Sequence, residues 1–226
     1  MKENILVVIP ARSKSKSVKN KNIKLIKKKP LLYYSIKYAL KSKIVTKTVV
    51  STDSEKYAKI SEKYGAEVPF IRPKKLSGDN IQDYDVISHA LKKCEIYYRR
   101  KFLFVVLLRP TSPFREKNLI EKSIRLLKNN TKSTSVRSVI KTNCHPWRHW
   151  VKRNKFIYSI VDDFYEPYNI PRQKLPVYYF QTGEIEVIKR KTILNGSVSG
   201  NNILPLINKE YSIDVDTNRD IQKLNK

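Results

Sequence analysis

Residues 5–9, Ile-Leu-Val-Val-Ile, are an unbroken run of apolar side chains that a proline stops at position 10. A strand with one wet face alternates, whereas a continuous run fits a strand buried on both faces, at the centre of a parallel sheet covered by helices. The residues that follow are suited to an anion. Arg12, Lys16, Lys19 and Lys21 supply charge, and Ser13, Ser15, Ser17 and Asn22 supply short neutral donors. They stand at the strand's carboxyl end, where open α/β sheets bind ligands. A solvated basic loop is the competing reading, because charge runs usually face water.

Strand and helix signals alternate beyond this loop. Pro30 opens a helix over about 31–42 with Leu32, Ile36, Ala39 and Leu40 at helical spacing. Val45–Ser51 reads as a second strand. Ser51-Thr-Asp-Ser54 then caps a helix with Tyr57, Ile60 and Tyr64 inward and Gly65 as its stop. Val68–Ile71 reads as a short third strand, and a loop through Asp79 and Asp83 leads to a helix that buries Val86, Ile87, Ala90, Leu91 and Cys94. Asp83, at that helix's start, suits a cap. Phe102–Leu108 is the most apolar strand, followed by a helix over about 117–127 and a strand over 134–140. This order predicts an α/β fold with a doubly wound, mostly parallel sheet.

From 143 to 177 the pattern changes to alternating polar and apolar residues carrying both tryptophans and many tyrosines. The chain therefore reads as one domain over 1–226, with 143–182 as an extension. His145 and His149 have helix-face spacing, but Pro146 between them argues against a zinc site, and His89 reads as structural. Cys94 and Cys144 suit no metal spacing and read as reduced, partly buried thiols. Glu184 and Glu186 share a strand face, which fits either paired catalytic carboxylates or, preferably, a solvent-facing edge or a salt bridge to the abundant lysines. Gly183 allows close approach to the backbone, and Gln181 and Thr182 suit sugar hydroxyls. In Tyr211-Ser-Ile-Asp-Val-Asp-Thr217, period-2 alternation puts Asp214 and Asp216 on one side of a strand. Two like carboxylates side by side call for a hard divalent cation, and capping of the last helix by Asp216 or Thr217 competes.

Charge narrows the partner without naming it. Lys+Arg number 47 against 20 Asp+Glu, a formal +27, which asks for an anion: nucleic acid, an anionic membrane, or a nucleoside triphosphate with an acidic sugar. The lysines run from Lys2 to Lys226 rather than clustering. Five apolar residues before Pro10 are too few for a signal peptide or a membrane span, so a cytoplasmic protein without membrane insertion is expected.

Four stretches carry a resemblance. I-P-A-R-S-x-S-K-x-V-x-N-K-N at 9–22, R-P-T-S-P-x-R at 109–115, P-R-Q-x-L-P with Q-T-G between 171 and 183, and I-D-V-D-T at 213–217 resemble, in order, the cytidylyltransferases that make CMP-activated keto-acid sugars, the CMP-sialic acid synthetases and their relatives. The chain departs from the commoner form at Lys14, Ser17 and Lys19, and at Arg109, where glutamine is usual. The resemblance implies a Rossmann-like fold and transfer of CMP from CTP to the anomeric hydroxyl of a nonulosonate for cell-surface glycans. It implies that Ala11, Arg12, Ser13, Ser15, Lys16, Lys21, Asn22 and Asp79 bind CTP, with Arg12, Lys21, Asp214 and Asp216 catalytic and Mg²⁺ on the two aspartates. Arg109, Thr111, Ser112, Arg172, Gln173, Gln181, Thr182 and Gly183 would bind the sugar, Arg109 through its carboxylate. The region at 143–182 would be an arm reaching a partner subunit in a homodimer. A nucleotidyltransferase for another sugar, or a basic nucleic-acid-binding protein, remains the alternative, and the spread of the lysines disfavours nucleic acid.

Overall fold

A computed structural model describes residues 4–161, 165–210 and 213–225. Its strands and helices, in chain order, are β1 (Ile5–Pro10), the two-residue pair β2 (Leu25–Ile26) and β3 (Lys29–Pro30), α1 (Leu31–Lys41), β4 (Lys47–Ser51), α2 (Glu55–Lys63), α3 (Asp83–Tyr97), β5 (Phe104–Leu107), α4 (Leu119–Asn129), β6 (Ser135–Lys141), β7 (Trp150–Arg153), β8 (Phe156–Ser159), β9 (Tyr179–Lys189), α5 (Arg190–Leu194), β10 (Ile203–Ile207) and α6 (Asn218–Asn225).

The main sheet has six strands in the order β10-β6-β9-β5-β1-β4. β1 is parallel to both β4 and β5, and β10 is parallel to β6, while β9 runs antiparallel between β5 and β6. The sequence dictates why β1 is central. Ile5, Val7 and Ile9 pack into one cluster with Leu32 and Ile36 of α1 and Ile120 and Ile124 of α4. Leu6 and Val8 pack into the other cluster, with Ile87 and Leu91 of α3. Both faces of one strand are thus covered, which an unbroken apolar run requires. The chain leaves β1 for β4 on one side and returns to β5 on the other, so the order reverses between β1 and β5, where open sheets leave a crevice at their carboxyl ends.

Two expected strands are not strands. Val68–Ile71 makes no ladder; only Glu67 bridges to Val49, because Pro69 has no N–H to extend the pairing. The segment from Ile213 to Thr217 is irregular as well, while Tyr211 and Ser212 lie outside the described residues. Val215 instead docks by donating its N–H to Thr111 O at 2.7 Å and burying its side chain with Ile26, Leu31 and Leu224.

Residues 143–161 and 165–178 lie outside the six-stranded sheet, whereas 179–182, expected to belong to the extension, begin β9, which pairs with β6. The extension's hairpin β7–β8 is exposed at every residue but half-buried Ser159, with Phe156 and Ile157 57% and 58% accessible, and Val177, Tyr179 and Phe180 add to the uncovered apolar surface. His145 is buried and bonded to Pro176 O and Trp147 N–H, while His149 is exposed. No His, Cys, Asp or Glu cluster among the described residues forms a metal cage. Cys94 is buried, which pushes its thiol up to about 12, but Cys144 is exposed rather than partly buried. No helix among the described residues is long and apolar enough to cross a membrane.

Candidate active site

A cleft of 460 Å³ opens at the carboxyl ends of β1 and β5 and is lined by Arg12, Ser15, Lys16, Lys21, Asn22 and, from the other side, Arg109 and Thr111. The loop after β1 is held from below. Asp53, at the end of β4, accepts from Ser13 N–H at 2.7 Å and from Ser13 Oγ at 2.9 Å. Asn22 is buried at the cleft wall and donates to Arg12 O at 3.0 Å, so its amide shapes the loop that forms the cleft. Ala11 is also buried and donates its N–H to Ser51 O. Asn20 takes the left-handed conformation at φ 57°, while Lys14 and Ser17 do not have positive φ. The glycines of the commoner family pattern are therefore not required by this loop's backbone.

The cleft's cations are held by carboxylates. Asp79 takes Arg12 Nη1 at 2.6 Å and Lys16 Nζ at 3.0 Å. The Lys16 hydrogen bond, reinforced by Arg12, holds the Asp79 carboxyl below its ordinary range. Lys21 Nζ meets Asp216 Oδ1 at 2.9 Å. Lys16 is 81% exposed and Lys21 only 13%, so Lys21 is the fixed cation of the loop and Lys16 the swinging one. Arg72, outside the expected set of site residues, also belongs to the cleft. It is 3% exposed, has no partner for Nε, and its pKa is lowered by burial. Its place just before Pro73 in a polar loop was the signal available.

The far wall is built by the turn after β5. Arg115 donates to Arg109 O at 2.5 Å, to Glu184 O at 2.6 Å and to Ser35 Oγ at 3.1 Å, and burial pushes its pKa down to about 10. One arginine therefore ties the 109–115 turn to β9 and α1, a role that the motif alone does not disclose. Arg109 meets Glu186 Oε1 at 2.6 Å and Asp83 Oδ2 at 2.5 Å. Burial works against its charge, but the two carboxylates outweigh it and raise the pKa. Arg109 is thus already paired, and a bidentate hold on a sugar carboxylate requires Asp83 to give way. Asp83 makes this ion pair and no side-chain cap is present at α3, which corrects the capping expectation.

The β9 carboxylates also differ from expectation. Glu184 and Glu186 are 0% and 1% exposed, because β9 lies inside the sheet rather than at an edge. Their partners are Asn208, Arg109 and Arg137, not lysines. Burial raises the Glu184 pKa. Thr182 is buried and its hydroxyl bonds Ser138 Oγ at 2.8 Å, so it braces the sheet and does not line the cleft; Ser112 is buried too. Gln181 is exposed and bonded to Arg137, and Gly183 sits at φ 73° beside it. Arg172, bonded to Asn143, and Gln173 are exposed on the extension and do not line the cleft of their own chain.

The chemistry of the donor set suits a hard divalent cation. Asp214 Oδ1 is buried without a hydrogen-bond partner, and Asp216, two residues on, is exposed and paired with Lys21. No group of three or more His, Cys, Asp or Glu side chains gathers there among the described residues, so a divalent cation on these two aspartates would need its remaining ligands from phosphate and water. Capping of α6 falls to Thr217 and Asp220, which bond each other reciprocally, and this leaves the Asp216 side chain free of that duty.

A doubly wound sheet with a basic cleft at its switch point makes this an α/β protein with a site suited to an anionic ligand. Residues 6–193 match the family described as Cytidylyltransferase, and the chain belongs to that family. It is 33% identical over 98% of its length to N-acylneuraminate cytidylyltransferase of Escherichia coli, of which it spans about half, 51%. It is also 33% identical to the CMP-N,N'-diacetyllegionaminic acid synthase of Legionella pneumophila, over 94% of this chain and 91% of that one. A solved structure of CMP:2-keto-3-deoxy-manno-octonic acid synthetase complexed with CTP superposes with a TM-score of 0.73 at 16% identity, covering 99% of this chain and 97% of that chain. At that identity the likeness speaks for the fold.

Proposed function

We propose that this protein transfers CMP from CTP to the anomeric hydroxyl of an acidic keto-deoxy sugar of the nonulosonate class, releasing pyrophosphate. The observation that carries the reading is the cleft at the β1 end, where Arg12, Lys16 and Lys21 converge in a chain of the cytidylyltransferase family. The names of its relatives support a nonulosonate as acceptor.

In this reaction the sugar oxygen attacks the α-phosphorus in line, its bond forms as the bond to pyrophosphate breaks, and no covalent enzyme intermediate arises. Positioning and charge stabilisation then do most of the work. Arg12 and Lys16 exchange Asp79 for triphosphate oxygens, and Lys21 holds the leaving end. Ser13 orders the loop through Asp53, Ser15 faces the nucleotide from the cleft wall, and Asn22 fixes the Arg12 carbonyl. Asp214 and Asp216 would hold Mg²⁺, which when bound neutralises triphosphate charge. Arg109, Thr111, Gln181 and Gly183 form the acceptor side. The exposed apolar extension over 143–182 covers itself against a second copy, bringing Arg172 and Gln173 toward the partner's cleft; sedimentation is expected to give a dimer, and a monomer at micromolar concentration would remove this part. A cytoplasmic setting fits a chain with no membrane-crossing helix among its described residues.

The test is pyrophosphate release with Mg²⁺ and each of the four ribonucleoside triphosphates, with and without a panel of nonulosonates and octulosonates. Release that needs both CTP and a nonulosonate is expected. Release from another triphosphate, or independence from the sugar, would overturn the proposal.

A further inference from the structure

Glu186 is a carboxylate in the interior, 1% exposed, on β9 opposite Leu107 of β5 and Arg137 of β6. Its Oε1 accepts from Arg109 Nη1 at 2.6 Å and, at 3.4 Å, from Gln181 Nε2. Its Oε2 lies 3.0 Å from Arg137 Nη2, an ion pair without hydrogen-bond geometry. Arg137 in turn donates to Gln181 Oε1 at 2.7 Å and to Ser199 Oγ at 2.7 Å.

Stability alone gives little reason for this arrangement. A buried ion pair recovers its desolvation cost only with good geometry, and well-packed apolar residues often replace one without loss. What the arrangement does secure is position. Arg109 has one edge tied to a carboxylate that cannot move, because it stands on an interior strand with a neighbour on each side. The other edge meets Asp83, which is exposed on the first turn of α3 and lines the cleft. The inner contact is fixed and the outer one is exchangeable.

Building on the reaction proposed above, we propose that Glu186 is the positioning residue of the acceptor site, setting Arg109 through one carboxylate oxygen and Gln181 through Arg137 with the other. The guanidinium of Arg109 stays in place while Asp83 yields to an incoming anionic acceptor. The same pairing keeps Arg109 from collapsing onto the triphosphate, so the two substrates meet separate cations: CTP at Arg12, Lys16 and Lys21, the acceptor at Arg109.

Substitution of Glu186 by Gln keeps shape and removes charge. Glu186→Gln is expected to lower kcat/KM for the sugar about 100-fold, the scale of a misplaced positioning group, and to leave KM for CTP within about threefold. In an Arg109→Gln background the same change is expected to cost less than about threefold, since residues acting through one another are not additive. Equal losses in both backgrounds, or a rise in KM for CTP matching the loss, would overturn the proposal. Should Glu186→Gln not fold, Glu186→Asp, which retains charge and loses reach, carries the same coupling test. Arginine side-chain NMR answers without turnover and so separates this inference from the reaction itself. Restricted rotation of the Arg109 guanidinium in the wild type, lost in Glu186→Gln or Glu186→Asp, supports it. Rotation unchanged by both substitutions refutes it, whatever the reaction proves to be.

Discussion

The two sides of the cleft carry similar charges and handle them oppositely. On the β1 side, Arg12 and Lys16 share exposed Asp79, and Lys21 meets exposed Asp216. On the β9 side, Arg109 and Arg137 share interior Glu186, and Arg115 is spent on carbonyls and a hydroxyl. Exposed pairs are weak and exchange with a ligand, whereas buried charges must stay paired. One side is therefore built to release its cations to a substrate, and the other to keep its geometry.

Substitutions test that division. Lys21→Ala is expected to cut turnover about 1,000-fold, the upper range for removing a single preorganised donor to developing charge. Its thermal midpoint should stay close to that of the wild type; a comparable loss of stability would mean that the β1 side is also structural. Arg115→Met is expected to reverse the pattern, lowering unfolding free energy in urea by about 3 kcal/mol as two buried carbonyls lose their donor. A stability unchanged in that variant would break the comparison outright.

Asp79→Asn should act in the opposite sense on ligand affinity. Freed of their carboxylate, Arg12 and Lys16 are expected to bind pyrophosphate more tightly by calorimetry, with the gain shrinking as salt rises. Weaker binding would make Asp79 a ligand-holding group rather than a stand-in. The smallest effect is in titration. The Asp79 carboxyl should titrate below its ordinary 3.8, because Lys16 and Arg12 hold it charged. Its contribution is present above that value and lost as pH falls through the lower folded one. Glu184 should titrate above its ordinary 4.5, because burial favours the neutral form. Its sign is opposite: the protonated form is favoured at low pH, and that advantage disappears as pH rises through the raised value. Carboxyl NMR shifts decide, and a reversed order of the two midpoints would contradict the assignment of open and buried sides.

Much of this was legible in the chain. The run Ile5–Ile9, the cap at Ser54, the stop at Gly65 and the basic loop are local signals, and each stands where periodicity and turn chemistry place it. The location of Glu184 and Glu186 was not legible, since period 2 says which residues share a face but not whether the strand is inner or outer. Val68–Ile71 misled because its apolar content outweighed one proline. The buried roles of Arg72 and of Arg115, which ends the R-P-T-S-P-x-R stretch, were not legible, because an arginine in a loop reads as solvated until the fold closes over it.

The sequence by itself determined the layered α/β class, the central strand and the cationic loop that follows it, because these rest on contacts between near neighbours and on side-chain chemistry. The tertiary structure alone decided that β9 enters the sheet antiparallel between β5 and β6, and so which carboxylates are buried and which arginines they hold. Glu186 pairs with an arginine 77 residues away. Such a contact is set by strand order, which no local pattern encodes, and burial then makes the pairing obligatory.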